Sequence, residues 1–159
     1  MEIRPLAGDA EAGRCAAMMS ATDPWLKYGR KYDACLKALL DQTSEIFVAV
    51  DDGQVVGFIA IVMRGALVGY IRMICIDESA RGKGLGSQLV AFAEERIFRE
   101  TPNVFLFVSE FNTRARALYE RLGYEKVAEM RDYIARGISE ILMRKTSGPL
   151  AEFQASSRA

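Results

Sequence analysis

A glycine-rich segment with two basic residues lies between a short apolar run and an amphipathic run. It reads Arg81-Gly82-Lys83-Gly84-Leu85-Gly86-Ser87. The apolar residues that follow recur at helical spacing, which predicts a helix beginning at the glycines. A helix start presents unpaired backbone N–H groups, and glycines let a ligand approach them because no Cβ intervenes. The segment therefore predicts a site for a phosphate or pyrophosphate group.

Two familiar phosphate loops do not match this segment. A P-loop requires Lys followed by Ser or Thr after the last glycine, whereas Ser87-Gln88 follows Gly86. The dinucleotide-binding fingerprint requires a further glycine at the position of Ser87. These mismatches disfavour other nucleotide-binding enzymes. A flexible turn with solvated charges is the remaining alternative, and the strand-then-helix context argues against it.

A second segment, Asn112 to Tyr124, follows the compact apolar run 104–108. Asn112 or Thr113 can cap a helix, and Gly123 suits the left-handed position just after its end. Tyr119 lies on this predicted helix. A phenol with an ordinary pKa of about 10 can donate a proton at neutral pH, while packing in the core is its alternative role.

The loop and the second segment, in this order, resemble two signatures of the GNAT acetyltransferase superfamily. The resemblance extends from the first predicted strand to about Lys145. It implies an α+β fold, the GNAT acyl-CoA N-acyltransferase fold, with a mixed, mostly antiparallel sheet flanked by helices and splayed central strands. It also implies transfer of an acetyl group from acetyl-coenzyme A, the co-substrate, to a primary amine by direct attack in a ternary complex, without a metal.

The resemblance implies a role for each matching residue. Tyr119 would protonate or hydrogen-bond the leaving sulfur. Some relatives carry a Glu on the strand before the loop. The corresponding residues 70–73 of this chain include no carboxylate, so Glu110 becomes the candidate general base. A base acting through ordered water, or no dedicated base, also fits. The expected cofactor-binding set is Ile74, Cys75, Ile76, Arg81, Gly82, Lys83, Gly84, Leu85, Gly86, Ser87, Asn112 and Tyr119.

The acceptor is left open by the sequence. Trp25, Tyr28 and Tyr133 are the candidate substrate-binding residues, because aromatic side chains with polar tips can line an amine pocket, although they can equally close a core. The acceptor would be a protein N-terminus, a lysine or a small amine. A non-catalytic acyl-coenzyme A-binding sensor or regulatory module is the alternative function, favoured by the missing Glu and opposed by the retained Tyr119.

Composition sets further bounds. A chain of 159 residues suits one domain, here 1–146 as the N-acetyltransferase domain and 147–159 as a flexible C-terminal tail. Basic and acidic residues balance at 21 each, so we expect neither nucleic acid nor a membrane as partner. The absence of His removes the usual general base and the commonest metal ligand. An odd number of scattered cysteines suits a cytoplasmic protein. Among members of the family that the chain resembles, dimers are common, so we expect either a monomer or a homodimer.

The pattern along the chain indicates an α+β arrangement of layers around a mixed sheet. The expected strands are 2–6, 46–50, 55–63, 67–76, 104–108, 124–131 and 139–144. The expected helices are 9–20, 32–40, 84–99 and 113–122. Gly57 is predicted to mark a bulge or a close approach within its strand.

Overall fold

The computed structural model describes residues 1–154 of the 159. Its strands are β1 (Glu2–Pro5), β2 (Glu45–Asp51), β3 (Gln54–Val62), β4 (Tyr70–Ile76), β5 (Asn103–Ser109), β6 (Glu125–Arg131) and β7 (Ser139–Thr146). Its α-helices are α1 (Gly8–Ser20), α2 (Tyr32–Leu40), α3 (Leu85–Ile97) and α4 (Thr113–Arg121). Two single-turn 3₁₀ helices lie at Glu78–Ala80 and Leu150–Glu152.

The seven strands form one sheet in the order β1-β2-β3-β4-β5-β7-β6. Every neighbouring pair is antiparallel except β4 and β5, which are parallel. The β2–β3 hairpin turns through Asp52 and Gly53, both with positive φ (47° and 73°), which matches the twist of a hairpin turn. The predicted α+β fold with a mixed, mostly antiparallel sheet is confirmed.

The two central strands separate after a short parallel pairing. β4 and β5 pair only at Tyr70↔Phe105 and Ile71↔Leu106, although both strands continue beyond these residues. The register of the β3–β4 pairing shifts at Arg72, which has no partner residue on β3 and forms a bulge in β4. Such a bulge bends and twists a strand locally. The predicted splay is therefore confirmed, and each strand presents an unpaired main-chain edge to the gap.

Helices cover both faces of the sheet and bury its alternating side chains. Ile59 and Ile61 of β3 pack in the cluster that contains α3, whereas Phe58 packs with α1 and α2. A Cβ at Gly57 would lie 3.1 Å from the carbonyl oxygen of Cys75 and 3.4 Å from Leu85 Cδ2. The close approach predicted at Gly57 is confirmed, because any side chain there would push α3 away from the sheet.

The predicted start of β4 at residue 67 is wrong, since the strand begins at Tyr70. Gly69 has a φ of +85°, and a Cβ on it would lie 2.4 Å from the carbonyl oxygen of Asn103. The chain therefore turns at Gly69 against β5 before the strand begins.

The described part of the predicted tail begins with an anchored residue. The Ser147 N–H donates to the Pro102 carbonyl at 2.9 Å, and the 3₁₀ turn Leu150–Glu152 follows it. The rest of the tail, 155–159, lies outside the described residues. Among residues 1–154, no helix has the length and apolar character needed to cross a membrane.

Candidate active site

The segment that enters the glycine-rich loop is held by Asp77. One carboxylate oxygen of Asp77 accepts hydrogen bonds from the Ser79 N–H at 3.1 Å and the Ser79 hydroxyl at 2.6 Å. Its other oxygen forms an ion pair with Arg14 of α1. The Ser79 hydrogen bonds, together with Arg14, hold the pKa of Asp77 below its usual value. This cap ties the start of the loop to α1.

The three glycines of the loop serve two different purposes. Gly82 and Gly84 have φ values of +76° and +80°, a region where side chains are strained, and Gly84 directly precedes α3. Gly86 has ordinary helical geometry, but a Cβ there would lie 3.2 Å from Leu118 Cδ2 and 3.3 Å from Ile76 Cδ1. Gly82 and Gly84 therefore permit the turn, and Gly86 permits close packing of α3 on β4 and α4.

Unpaired main-chain N–H groups, rather than basic side chains, are what this loop offers to an anion. Within residues 1–154, the N–H groups of 82–87 have no main-chain acceptor, and the first paired N–H is that of Gln88, bonded to the Gly84 carbonyl at 3.2 Å. These N–H groups lie at the positive end of the α3 dipole. Arg81 donates to the Ile76 carbonyl at 3.1 Å and to Thr22 at 3.0 Å, and Lys83 donates to the Ser79 carbonyl at 3.1 Å. Both side chains therefore brace the loop.

A large cleft of about 1040 Å³ lies beside the end of β4, beyond the residues where β4 pairs with β5. It is lined by β4 residues 74–76, by most of the loop and by α4. Arg14, Arg114 and Arg121 add positive charge to its walls. Arg114 and Arg121 share one face of α4, and no carboxylate of the described chain forms an ion pair with either. Lys83, which we expected in this site, does not line the cleft.

The helix α4 is capped at both ends. At its start, the Asn112 side-chain oxygen accepts from the Ala115 N–H at 3.3 Å. At its end, Gly123 (φ +91°) donates to Glu120 at 3.1 Å, and the Tyr124 N–H donates to the Tyr119 carbonyl at 3.0 Å. This is the Schellman arrangement, and the predicted role of Gly123 is confirmed. The rings of Tyr119 and Tyr124 pack edge to face with centroids 5.8 Å apart, which fixes the orientation of Tyr119.

Tyr119 lies at the junction of the large cleft and a second cavity, and its side chain lines both. Only 5% of its surface is exposed, and no group of the described chain hydrogen bonds to its hydroxyl. Burial raises the pKa of Tyr119 well above its usual value, so the hydroxyl is protonated at neutral pH. Tyr119 is therefore an unused proton donor on a side chain that lines both spaces. Asn112 and Ile74 also line both spaces.

The second cavity has a volume of about 250 Å³. Drug-sized ligands occupy pockets of roughly 300–1,000 Å³, so this cavity suits a small group. Trp25 and Tyr28 line it, as we expected of acceptor-binding residues. Tyr133 does not line it; its ring is 54% exposed and stacks on Phe107 at 5.3 Å.

Glu110, the candidate base from the sequence, lines neither space. It is exposed, and its carboxylate accepts from the Ser139 N–H at 3.1 Å. The carboxylate that does line the second cavity is Glu140, which is only 3% exposed. Sequence reasoning missed Glu140, and the signal for it was a single carboxylate directly before the apolar run 141–143. Its contacts depend on the pairing of Ser109 with Glu140 across β5 and β7.

Cys75 also lines the large cleft, but its chemistry is that of a packed thiol. Burial raises the pKa of Cys75 to about 11, so the nucleophilic thiolate is scarce at neutral pH. No cluster of His, Cys, Asp or Glu with the arrangement of a metal site occurs among residues 1–154.

The splayed sheet and the loop of unpaired N–H groups agree with the fold that the sequence resemblance implies. The sequence profile of the Acetyltransferase (GNAT) family matches residues 12–124. The chain therefore belongs to the GNAT acetyltransferase family, as the sequence resemblance predicted.

Similar proteins agree with this membership. Blasticidin-S acetyltransferase from Streptomyces morookaense is 32% identical over 90 residues, covering 52% of this chain and 66% of that protein. Mycothiol acetyltransferase from Thermomonospora curvata is 34% identical over 84 residues, covering 52% of this chain but only 28% of that protein. The chain thus spans less than two thirds of either relative. The crystal structure of an aminoglycoside 6'-N-acetyltransferase complexed with coenzyme A shares the fold, with a TM-score of 0.77 at 19% identity, over 94% of this chain and 98% of that one.

Proposed function

We propose that the protein transfers an acetyl group from acetyl-coenzyme A to a primary amine by direct attack within a ternary complex. The observation that carries this proposal is the position of Tyr119. Its hydroxyl is protonated and lacks a partner in the described chain, and its side chain lines both cavities. A cleft for the donor, a smaller cavity for the acceptor and a proton donor between them are the parts that this reaction needs.

The residues of the large cleft fit acetyl-coenzyme A, which supplies an activated acetyl thioester when bound. The N–H groups of 82–87 would hold the pyrophosphate, because they are unpaired and lie at a helix N-terminus. Arg114 and Arg121 would hold further phosphate charge. The unpaired edge of β4 at Ile74, Cys75 and Ile76 would hydrogen bond to the amides of the pantetheine arm as a neighbouring strand does.

The remaining residues divide the proton transfers between them. Attack forms a nitrogen–carbon bond and breaks the carbon–sulfur bond, and Tyr119 would give its proton to the departing sulfur. A backbone N–H at or near Ile76 would stabilise the developing oxyanion. Glu110 would accept the proton of the amine through ordered water, since its carboxylate lies outside both spaces. Cys75 would take no covalent part, because its thiol stays protonated.

The acceptor would be a protein N-terminus, a lysine or a small amine. The relatives described above carry two different compounds in their names, blasticidin-S and mycothiol, so they do not select one acceptor. The small volume of the second cavity favours entry of a single amine-bearing group. We also propose a cytoplasmic protein, monomeric or homodimeric, that needs neither metal nor nucleic acid.

A non-catalytic sensor of acyl-coenzyme A is the second candidate function. It is favoured by the lack of a carboxylate in residues 70–76 of β4 and by the position of Glu110 outside both spaces. A sensor requires the large cleft but has no use for a proton donor at its end, and the retained Tyr119 hydroxyl therefore weighs against it.

One assay separates the two functions. The protein is incubated with acetyl-coenzyme A and a panel of small amines and amine-bearing peptides, and thiol release is followed together with calorimetric binding of coenzyme A. Thiol release with at least one amine supports the transferase. Binding of coenzyme A without release on any acceptor favours the sensor, and absence of binding refutes the assignment of the large cleft.

A further inference from the structure

Glu140 is buried in a polar cluster at the back of the second cavity. Glu140 is the second residue of β7 and lies opposite Ser109 of β5. The Ser109 hydroxyl donates to Glu140 Oε1 at 2.7 Å, and the Tyr28 hydroxyl donates to the same oxygen. Burial and the adjacent Glu140 raise the pKa of Tyr28 to about 12, so Tyr28 remains a donor at neutral pH. Two neutral hydroxyls therefore serve one carboxylate oxygen.

The other carboxylate oxygen, Oε2, has no donor within residues 1–154. Glu140 is 97% buried and its side chain lines the second cavity, so Oε2 is the carboxylate oxygen left for a ligand in that cavity. A buried carboxylate is costly unless a cation or further donors compensate it.

No cation of the described chain provides that compensation. Arg30 and Arg72 line the same cavity, but neither forms an ion pair with Glu140. The guanidinium of Arg72 instead donates to Thr43 at 3.0 Å and to Ser44 at 3.2 Å, outside the cavity. The carboxylate thus faces a space whose other walls include the aromatic side chains of Trp25, Tyr28, Tyr70 and Phe107. Aromatic faces and a carboxylate together favour an organic cation.

We propose that Glu140 Oε2 binds the ammonium group of the acceptor and that the acceptors are alkyl amines, which arrive as cations on a narrow apolar stem. This inference rests on the proposed acetyl transfer, because it identifies the second cavity as the acceptor site. The volume of about 250 Å³ admits one such head group. Glu140 is then a specificity-determining residue that distinguishes cationic amines from neutral groups of the same shape.

The test measures binding and does not depend on turnover. Trp25 is the single tryptophan of the chain and lines the cavity, so its fluorescence reports occupancy. Phenethylammonium and the neutral isostere 2-phenylethanol are titrated into the full chain, and the ratio of their dissociation constants is determined. The same titrations are made with Glu140→Gln and with Glu129→Gln, a matched control on β6 that lies outside the cavity.

The wild-type protein should bind phenethylammonium at least about tenfold more tightly than the alcohol, because a hydrogen bond to a charged group is worth more than a neutral one. Glu140→Gln should bring the ratio close to one and leave alcohol binding unchanged, and Glu129→Gln should keep the preference. If Glu140 has only a structural role, Glu140→Gln should weaken the binding of both probes equally, and that result overturns the proposal.

If Glu140→Gln does not fold, as judged by its thermal midpoint, the wild-type ratio decides alone, and a ratio near one overturns the proposal. Preference for the ammonium probe combined with no thiol release on any amine would contradict the transferase while leaving Glu140 as a cation site. Thiol release without a preference for the ammonium probe would support the transferase and overturn the proposed role of Glu140.

Discussion

Replacing Tyr119 by Phe removes one oxygen atom from the junction of the two cavities. No group of the described chain hydrogen bonds to this hydroxyl, so its loss breaks no protein hydrogen bond. The ring keeps its edge-to-face contact with Tyr124, since that contact needs no hydroxyl. We therefore expect the free energy of unfolding to change by less than about 0.5 kcal/mol. Affinity for coenzyme A should also be nearly unchanged, because the other residues of the cleft remain.

Turnover should respond very differently. A positioned general acid contributes roughly 10²–10⁴-fold to a rate, so Tyr119→Phe should lower kcat by about 100-fold or more. This corresponds to about 2.7 kcal/mol of transition-state stabilisation, at about 1.36 kcal/mol for each factor of ten. The loss should fall on kcat rather than on KM for acetyl-coenzyme A, since the hydroxyl acts on the departing sulfur.

Tyr124→Phe is the matched control. Tyr124 is as deeply buried as Tyr119 but lines neither cavity, and burial together with the neighbouring Glu94 carboxylate raises the pKa of Tyr124. Loss of its hydroxyl should lower the free energy of unfolding by no more than about 1 kcal/mol, the worth of one hydrogen bond, and should leave kcat within about threefold of the wild type. Steady-state thiol release and chemical denaturation measure both quantities. Equal kcat values for the two variants would refute the catalytic role of Tyr119.

Three further predictions follow from the loop and the cleft. Gly84→Ala should weaken coenzyme A binding by about tenfold or more in calorimetry, whereas Gly53→Ala, with the similar φ of +73° in a distant hairpin, should not. Asp77→Asn should lower the thermal midpoint near neutral pH. Because Ser79 and Arg14 depress the folded pKa of Asp77 below 3.8, its contribution is present above that pH and is lost as the pH falls, so the gap to wild type should close below about pH 4. Intact mass after incubation with acetyl-coenzyme A should show no acetyl adduct on Cys75, whose raised pKa of about 11 keeps it protonated; a stoichiometric adduct there would contradict direct transfer.

Elements with strong local signals were predictable from the sequence. The bounds of α2 agree with the expected 32–40, and Gly123 takes the left-handed position expected from its place after an apolar helix. The predicted start of β4 was wrong because the chain turns at Gly69, where the nearby carbonyl of Asn103 on β5 leaves no room for a side chain. Spacing along the chain carries no information about such a contact.

The candidate site divides in the same way. The glycines of the loop predicted that its backbone N–H groups would be accessible to a ligand. The hydrogen bonds that Arg81 and Lys83 donate to the protein itself depend on where Thr22 and Ser79 lie in the fold. Glu140 became visible only when the β5–β7 pairing placed it opposite Ser109. Residues that act through long-range strand pairing are therefore the ones that sequence reasoning missed.

The proposed mechanism requires that the large cleft bind coenzyme A with its sulfur at the Tyr119 hydroxyl. A crystal structure of the complex with coenzyme A measures this directly. We expect the pyrophosphate to lie on the N–H groups of 82–87 and the sulfur to lie within hydrogen-bonding reach of the Tyr119 oxygen. A pyrophosphate bound away from this loop, or a sulfur beyond reach of that oxygen, would contradict it.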